Sequence, residues 1–317
     1  MNRYLLYGIL AAGLLSGLGV AAQQPVFRGS SDSVRLFVTV TDRDGRLVTT
    51  LKQDEFEIRD EGKPQPITLF DNSPQPIRLI VMLDVSGSME GNLPLLREAS
   101  QELFKRLRPD DGVRVGMFGN DISISSTFTH DPNELRAALP RAISPDAPTP
   151  LWRAIDEAMS AFGEERDDRR VILVLSDGKD SGPIGFRQRV VSQVEIIERA
   201  RKEDVMVYGI GMRSRGARQG LPGIGQGGLQ AALLADMPDP GLARTAEETG
   251  GGYTEIRLGQ DLGAASAQVA DELHGQYLIG FAPPKRDGKV HEIDVRVSQK
   301  GMKPRARKSY VAPKERG

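Results

Sequence analysis

Three stretches of the chain carry three different hydrophobic patterns. Between Val34 and Phe70 apolar and polar positions alternate with a period of two, the pattern of strands with one buried face. Val34 to Val40 alternates, Asp42-Arg43-Asp44-Gly45 reads as a turn, and Phe56 to Arg59 leads into a second turn at Asp60-Glu61-Gly62-Lys63-Pro64. Ile67 to Phe70 closes the set. Near the far end Gln276 to Phe281, Val290 to Ser298 and Lys303 to Val311 repeat the style, with turns at Asp287-Gly288 and Lys300-Gly301. Neither set alone offers enough strands for a core. Together they would suit one antiparallel sandwich whose two halves flank the middle of the chain.

The middle alternates strands with helices. Leu79 to Leu83 and Val171 to Leu175 are continuous apolar runs, as expected of strands buried on both faces, and Val205 to Ile210 resembles them. Val113 to Phe118 and Ile122 to Phe128 read as a hairpin around Gly119-Asn120-Asp121. Leu96, Ala99, Leu103 and Leu107 share one face of a helix over Leu93 to Leu107, and Leu151 to Phe162 and Val190 to Ala200 show similar spacing. This alternation implies an α/β fold, a Rossmann-like, doubly wound, mostly parallel sheet with antiparallel β segments on its flanks. The expected divisions are 1–22, a leader; 23–74, a β-rich segment; 75–260, the α/β domain; and 261–317, a helix and β-rich segment packing with 33–71. Residues Arg213 to Gly228 form a Gly- and Arg-rich insertion, expected to be a mobile loop.

The first 22 residues follow another logic. Met1-Asn2-Arg3 is a short positive start, Tyr4 to Val20 is apolar, and Ala21-Ala22 offers a small-residue cleavage site before Gln23. This is the pattern of a secretory signal peptide cut after Ala22. The alternative is an uncleaved anchor, but 17 residues with four Gly are short for a span needing about 20 apolar residues. The mature protein is therefore expected to be exported, periplasmic or secreted, with no stable membrane insertion.

Composition narrows the chemistry. The 317 residues include 42 Lys+Arg and 43 Asp+Glu, a net charge of −1 that argues against a general nucleic-acid binder. The absence of Cys excludes disulfide scaffolds, thiolate metal sites and thiol catalysis. The three His, at 130, 274 and 291, lie too far apart in sequence to suggest a histidine metal site or triad.

One constellation carries chemistry. Asp84-Val85-Ser86-Gly87-Ser88-Met89 follows the first buried strand, so it falls in the crevice beyond the carboxyl ends of the sheet, where such folds bind ligands. Asp84, Ser86 and Ser88 alternate, and in an extended turn their oxygens can converge. The second buried strand ends in Leu175-Ser176-Asp177-Gly178, placing Asp177 at the same edge. Thr149, in Pro148-Thr149-Pro150-Leu151-Trp152, reads as the N-cap or first-turn hydroxyl of the next helix. Two carboxylates and three hydroxyls are hard ligands suited to Mg2+, Mn2+ or Ca2+ rather than zinc. So few carboxylates leave the cation under-neutralised and open to an outside oxygen.

Other features have plainer readings. Asp-x-Ser-x-Ser by itself is also compatible with a helix cap. Ser176 reads as a strand-end hydroxyl, Asp121 and Asp180 as solvated loop acids, and Trp152 as a helix anchor in the core. Gly223-x-Gly225-x-x-Gly228 matches a dinucleotide fingerprint in letters only, with no strand running into it, and reads as a loop. Lys303, Arg305, Arg307 and Lys308 fall in an alternating strand, which by default places them on a solvated face.

The set Asp84-x-Ser86-x-Ser88, Thr149 and Asp177 resembles the metal-ion-dependent adhesion site of von Willebrand factor type A domains, with all five positions present. The flanking β segments resemble the exported bacterial subset described as von Willebrand factor A-related acidobacterial proteins. The resemblance implies a divalent cation, Mg2+ first, and protein–protein binding, so the expected partner is a protein supplying a carboxylate. An enzyme is not expected. An aspartyl-phosphate route wants an acid two residues after Asp84, where Ser86 stands, and no Gly-x-Ser-x-Gly elbow surrounds either serine. The alternatives are a metal-assisted hydrolase and an envelope scaffold with a vestigial site.

Overall fold

A computed structural model of the chain describes residues 33–163, 169–177, 180–182, 189–212, 240–256 and 262–315. Residues 1–22, expected to be a leader, and the Gly-rich stretch with Gly223, Gly225 and Gly228, expected to be a loop, lie outside the described residues. The N-terminal flank holds β1 (Val34–Thr41), β2 (Phe56–Asp60), β3 (Lys63–Gln65) and β4 (Ile67–Asp71). The middle runs β5 (Arg78–Asp84), α1 (Leu93–Phe104), β6 (Gly112–Phe118), β7 (Ile122–Ile124), α2 (Pro132–Ala137) and α3 (Leu151–Ala161). It continues with β8 (Arg170–Ser176), α4 (Gln193–Glu203), β9 (Val205–Met212), α5 (Pro240–Thr249), β10 (Tyr253–Ile256) and α6 (Leu262–His274). The C-terminal flank holds β11 (Tyr277–Phe281), β12 (Val290–Val297), β13 (Lys303–Arg305) and β14 (Ser309–Val311).

Leu79 to Leu83 are all fully buried because β5 has helices on both sides. The strand order is β10-β9-β8-β5-β6-β7, parallel except where β7 turns back along β6. Leu79, Val81 and Leu83 share a core with Leu96 and Leu103 of α1 and Leu273 of α6. Ile80 and Met82 point the other way, into a core with Ile155 of α3 and Ile196 of α4. Alternate residues of one strand thus feed two cores, which makes the sheet doubly wound. The helix expected from Val190 begins instead at Gln193. Ser192 Oγ accepts from Glu195 N at 3.3 Å while the Glu195 carboxylate accepts from Ser192 N at 2.8 Å, a capping box that fixes the start.

The two flanks meet in two four-stranded sheets, β13-β1-β11-β4 and β14-β12-β2-β3. Each draws on both ends of the chain: β1 pairs antiparallel with β11, and β12 with β2. Leu36, Val38, Ile58, Tyr277, Ile279 and Phe281 are wholly buried in their common core. The single strand expected over Lys303 to Val311 is broken. β13 pairs with β1 and β14 with β12, so residues 306–308 cross from one sheet to the other and the alternation is lost. The solvated-face reading therefore fails at Arg305 and Arg307. Arg305 pairs with Glu272 and lies 5.8 Å from the Tyr208 ring centroid, while Arg307 pairs with Asp204 at 2.6 Å. Lys303 and Lys308 are exposed. No helix among the described residues is long and apolar enough to cross a membrane.

Candidate metal centre

β5 and β8 are parallel neighbours with Leu83 opposite Leu175, so Asp84 and Ser176 end them at one edge. From β5 the chain passes to β6 on one side, and β8 lies on the other; the crevice at this reversal is where α/β sheets take ligands. Beyond Asp84 the backbone is stitched to its neighbours. Val85 N donates to Phe118 O and Gly87 N to Ala147 O, both at 2.9 Å. A Cβ on Gly87 would fall 1.8 Å from Pro145 O, so only glycine permits this approach. The loop pressed against Gly87 carries Thr149, whose N donates to Ser181 Oγ at 2.8 Å, while Ser181 N returns a bond to Thr149 O at 3.0 Å. The turn after Asp84, the loop of Thr149 and Ser181 are thereby fixed to one another.

The polar atoms inside are short of positive charge. Asp84, Ser86 and Asp177 are fully buried and Thr149 is 5% exposed. Asp84 Oδ1 accepts from Ser86 N at 2.9 Å, Oδ2 accepts from Ser176 Oγ at 2.5 Å, and Ser86 Oγ lies 3.0 Å from Ser88 Oγ. Burial pushes the Asp84 carboxyl up to about 7 and the Asp177 charge adds to the rise, against the hydrogen bonds from Ser176 and Ser86. Two carboxylates in a dry cleft with hydroxyl oxygens beside them fit a hard divalent cation, whose charge would offset both burial and repulsion.

Two readings of the sequence change here. Thr149 is not the helix cap: Pro150 occupies that position, with no side-chain cap bond. Ser176 is more than a strand-end hydroxyl, since it holds one Asp84 oxygen and so orients the carboxylate. Its only signal in the sequence is its place before Asp177. Asp180 accepts from Gly182 N at 3.1 Å in a local turn, Asp121 is exposed, and Trp152 is 8% exposed within the core.

Sequence reasoning missed a second group. Ligand atoms of Asp60, Glu61 and His291 lie within 4.8 Å of one another, a set that could hold a metal. Several of these atoms already have partners. Asp60 faces His291 Nδ1 at 2.9 Å and accepts from Tyr310 OH at 2.6 Å, Asp287 faces His291 Nε2 at 3.2 Å, and Glu61 accepts from Glu292 N at 2.8 Å. Burial alone would push His291 down, but Asp60 and then Asp287 outweigh it and hold the imidazole above its usual value. A raised folded value means the stabilisation is complete below the unfolded histidine value of about 6.5 and is lost as pH rises through the folded one. His291→Gln is therefore expected to cost about 1–3 kcal/mol at pH 6 and progressively less toward pH 9. Melting of both proteins across that range checks it; a constant difference would show that the imidazolium contributes nothing.

The chain thus holds a doubly wound α/β domain with a buried, oxygen-lined cleft at the carboxyl edge of its sheet. Residues 79–179, which span Asp84, Ser86, Ser88, Thr149 and Asp177, match the family model of the von Willebrand factor type A domain, and the chain carries a domain of that family. Among solved structures, the chain is similar to the conserved hypothetical protein BatB from Bacteroides thetaiotaomicron at 18% identity, over 62% of this chain and 97% of that one, with a TM-score of 0.45. It is similar to a von Willebrand factor type A protein from Catenulispora acidiphila at 11% identity, over 90% and 76%, with a TM-score of 0.49. A third is proximal thread matrix protein 1 from the mussel byssus, with a zinc-occupied MIDAS motif, at 16% identity over 68% and 50%, TM-score 0.46. No curated protein matches the sequence.

Proposed function

We propose that this protein is an exported, non-enzymatic binding module whose Asp84, Ser86, Ser88, Thr149 and Asp177 hold Mg2+, or Mn2+ or Ca2+, and engage an acidic group on a partner protein. The observation that carries the reading is the pair of buried carboxylates, with Asp84 pushed up to about 7 while hydroxyls converge beside it. A bound cation would supply the missing charge and leave a coordination position for an outside carboxylate, since one oxygen from each of the five side chains falls short of the six or so the ion requires. Ser176 orients Asp84, and the Gly87 contact holds the loop that carries Thr149 against the turn after Asp84. Ser86, standing where an aspartyl-phosphate enzyme needs an acid, favours binding over turnover. The leader pattern of residues 1–22 supports export.

Calorimetric titration of Mg2+ and Mn2+ into EDTA-treated residues 23–317 tests the proposal, with and without an Asp- and Glu-containing peptide. Cation binding that strengthens about tenfold or more with the peptide is expected, as for an ion whose sphere is completed from outside. No heat of binding with either ion, peptide present or absent, would overturn it.

A further inference from the structure

The edge of the sheet opposite the cation cleft carries a concentration of positive charge that metal-dependent binding does not use. A pocket opens there between the starts of β8 and β9, the end of α4 and the flanking strands, and Arg35, Arg169, Arg170, Arg201, Arg307 and Ser309 line it. Its carboxylates are fewer, Asp204 and Glu248. Asp204 already pairs with Arg307. Arg169 is 7% exposed, and its terminal nitrogens donate to neutral acceptors, Leu273 O and Gln276 Oε1. Among the described residues neither Arg35 nor Arg201 makes an ion pair or a side-chain hydrogen bond.

Three buried polar atoms on the lining have no partner: Arg169 Nε, Arg307 Nε and Ser309 Oγ. Ser309 is 6% exposed, so its hydroxyl has little access to bulk water. Native proteins satisfy nearly all such atoms, and each exception asks for an absent partner. Several guanidiniums around a hydroxyl suit a tetrahedral oxyanion, whose oxygens accept from several directions at once.

We propose that this pocket binds a phosphate-class oxyanion, free or as the terminal group of a monoester, and that the bound anion ties the type A domain to the flanking sheets. The second clause follows from the origin of the donors. Arg35 on β1 and Ser309 on β14 belong to the flanking sheets, whereas Arg169, before β8, and Arg201 on α4 belong to the type A domain. Burial pushes the Arg169 guanidinium down to about 10, a penalty that an anion alongside would relieve. The site is independent of the cation cleft, so it stands or falls apart from the proposed adhesion function.

The test uses residues 23–317 in EDTA, which removes any route for phosphate through a bound cation. Inorganic phosphate and glycerol 3-phosphate are each titrated by calorimetry and in thermal melts, against chloride at equal ionic strength. Either anion is expected to bind and to raise the melting temperature above the chloride control. Binding of inorganic phosphate alone assigns the site to the free ion, and binding of both assigns it to the phosphate group in general. Arg201→Gln and Ser309→Ala should each weaken binding about tenfold (a single charge-assisted or hydroxyl contact) while melting normally in chloride, because neither side chain has a hydrogen-bond partner to lose. Phosphate indistinguishable from chloride, or variants that bind as the native protein does, would overturn the proposal.

Discussion

Asp84→Asn should weaken cation binding about 100-fold or more and leave the cation-free protein more stable than the native chain. The two effects share one cause. Asp84 is fully buried at the end of β5, its carboxyl pushed up to about 7 by that burial and by Asp177. Asparagine keeps the shape: its oxygen accepts from Ser86 N as Asp84 Oδ1 does at 2.9 Å, and its amide can donate to Ser176 Oγ, which now lies 2.5 Å from Oδ2. What disappears is one of two repelling charges, and with it an anionic ligand. In EDTA the variant should gain on the order of 1 kcal/mol, a rise of about 2–4 °C in Tm. In Mg2+ the native protein should overtake it, because binding to the folded state alone stabilises by mass action. Cation affinity of the variant should fall about 100-fold or more, at least as much as when a residue supporting a ligand is lost. Paired melts in EDTA and in Mg2+ read both effects. A native-sized Mg2+ shift in Asp84→Asn would move the cation away from this cleft, with the Asp60 and His291 group the next place to look.

Local pattern made part of this cleft legible and hid the rest. The runs at 79–83 and 171–175 are apolar without interruption because both faces of β5 and β8 are covered, and that same burial places Asp84 and Ser176 at one edge. The alternation Asp84-x-Ser86-x-Ser88 suggested convergence, and the serine oxygens do approach to 3.0 Å. Thr149 is legible as a candidate ligand, but what fixes it is not. A hydroxyl before a helix also reads as a cap, whereas the backbone of Thr149 is held by Ser181, 32 positions away. β10 left no clear pattern, since three of its four residues are only half buried at the edge of the sheet. The break between β13 and β14 was equally silent. Lys303 to Val311 alternates well enough for one strand, and only pairing with two different partners, β1 and β12, divides it. Pairing of Val34 with Phe281 is likewise a product of tertiary packing, which period-two alternation permits without specifying.

The largest loss of stability is expected where the flanking sheets meet the type A domain, at Gln276, which is 3% exposed. Its amide nitrogen donates to Thr39 Oγ1 at 2.7 Å and to Tyr208 OH at 3.1 Å, and its oxygen accepts from Arg169. Thr39 lies on β1, Tyr208 on β9 and Arg169 just before β8, so one side chain joins three elements from both parts of the molecule. Gln276→Leu fills the space but strips an acceptor from a buried guanidinium and a donor from two buried hydroxyls. Each unpaired buried group costs about 1–3 kcal/mol, more when charged. We expect a total of about 3–5 kcal/mol, or a Tm lower by about 6–15 °C. Gln276→Glu should retain most of the stability, because a carboxylate accepts from Arg169 and both hydroxyls can turn to donate to it. Arg169→Met combined with Gln276→Leu should recover part of the loss, since removing both partners leaves no isolated charge, whereas independent sites would add. Thermal melts of the three variants decide the matter. A Leu variant within a degree of the native Tm would mean that apolar contacts, not this amide, hold the two parts together.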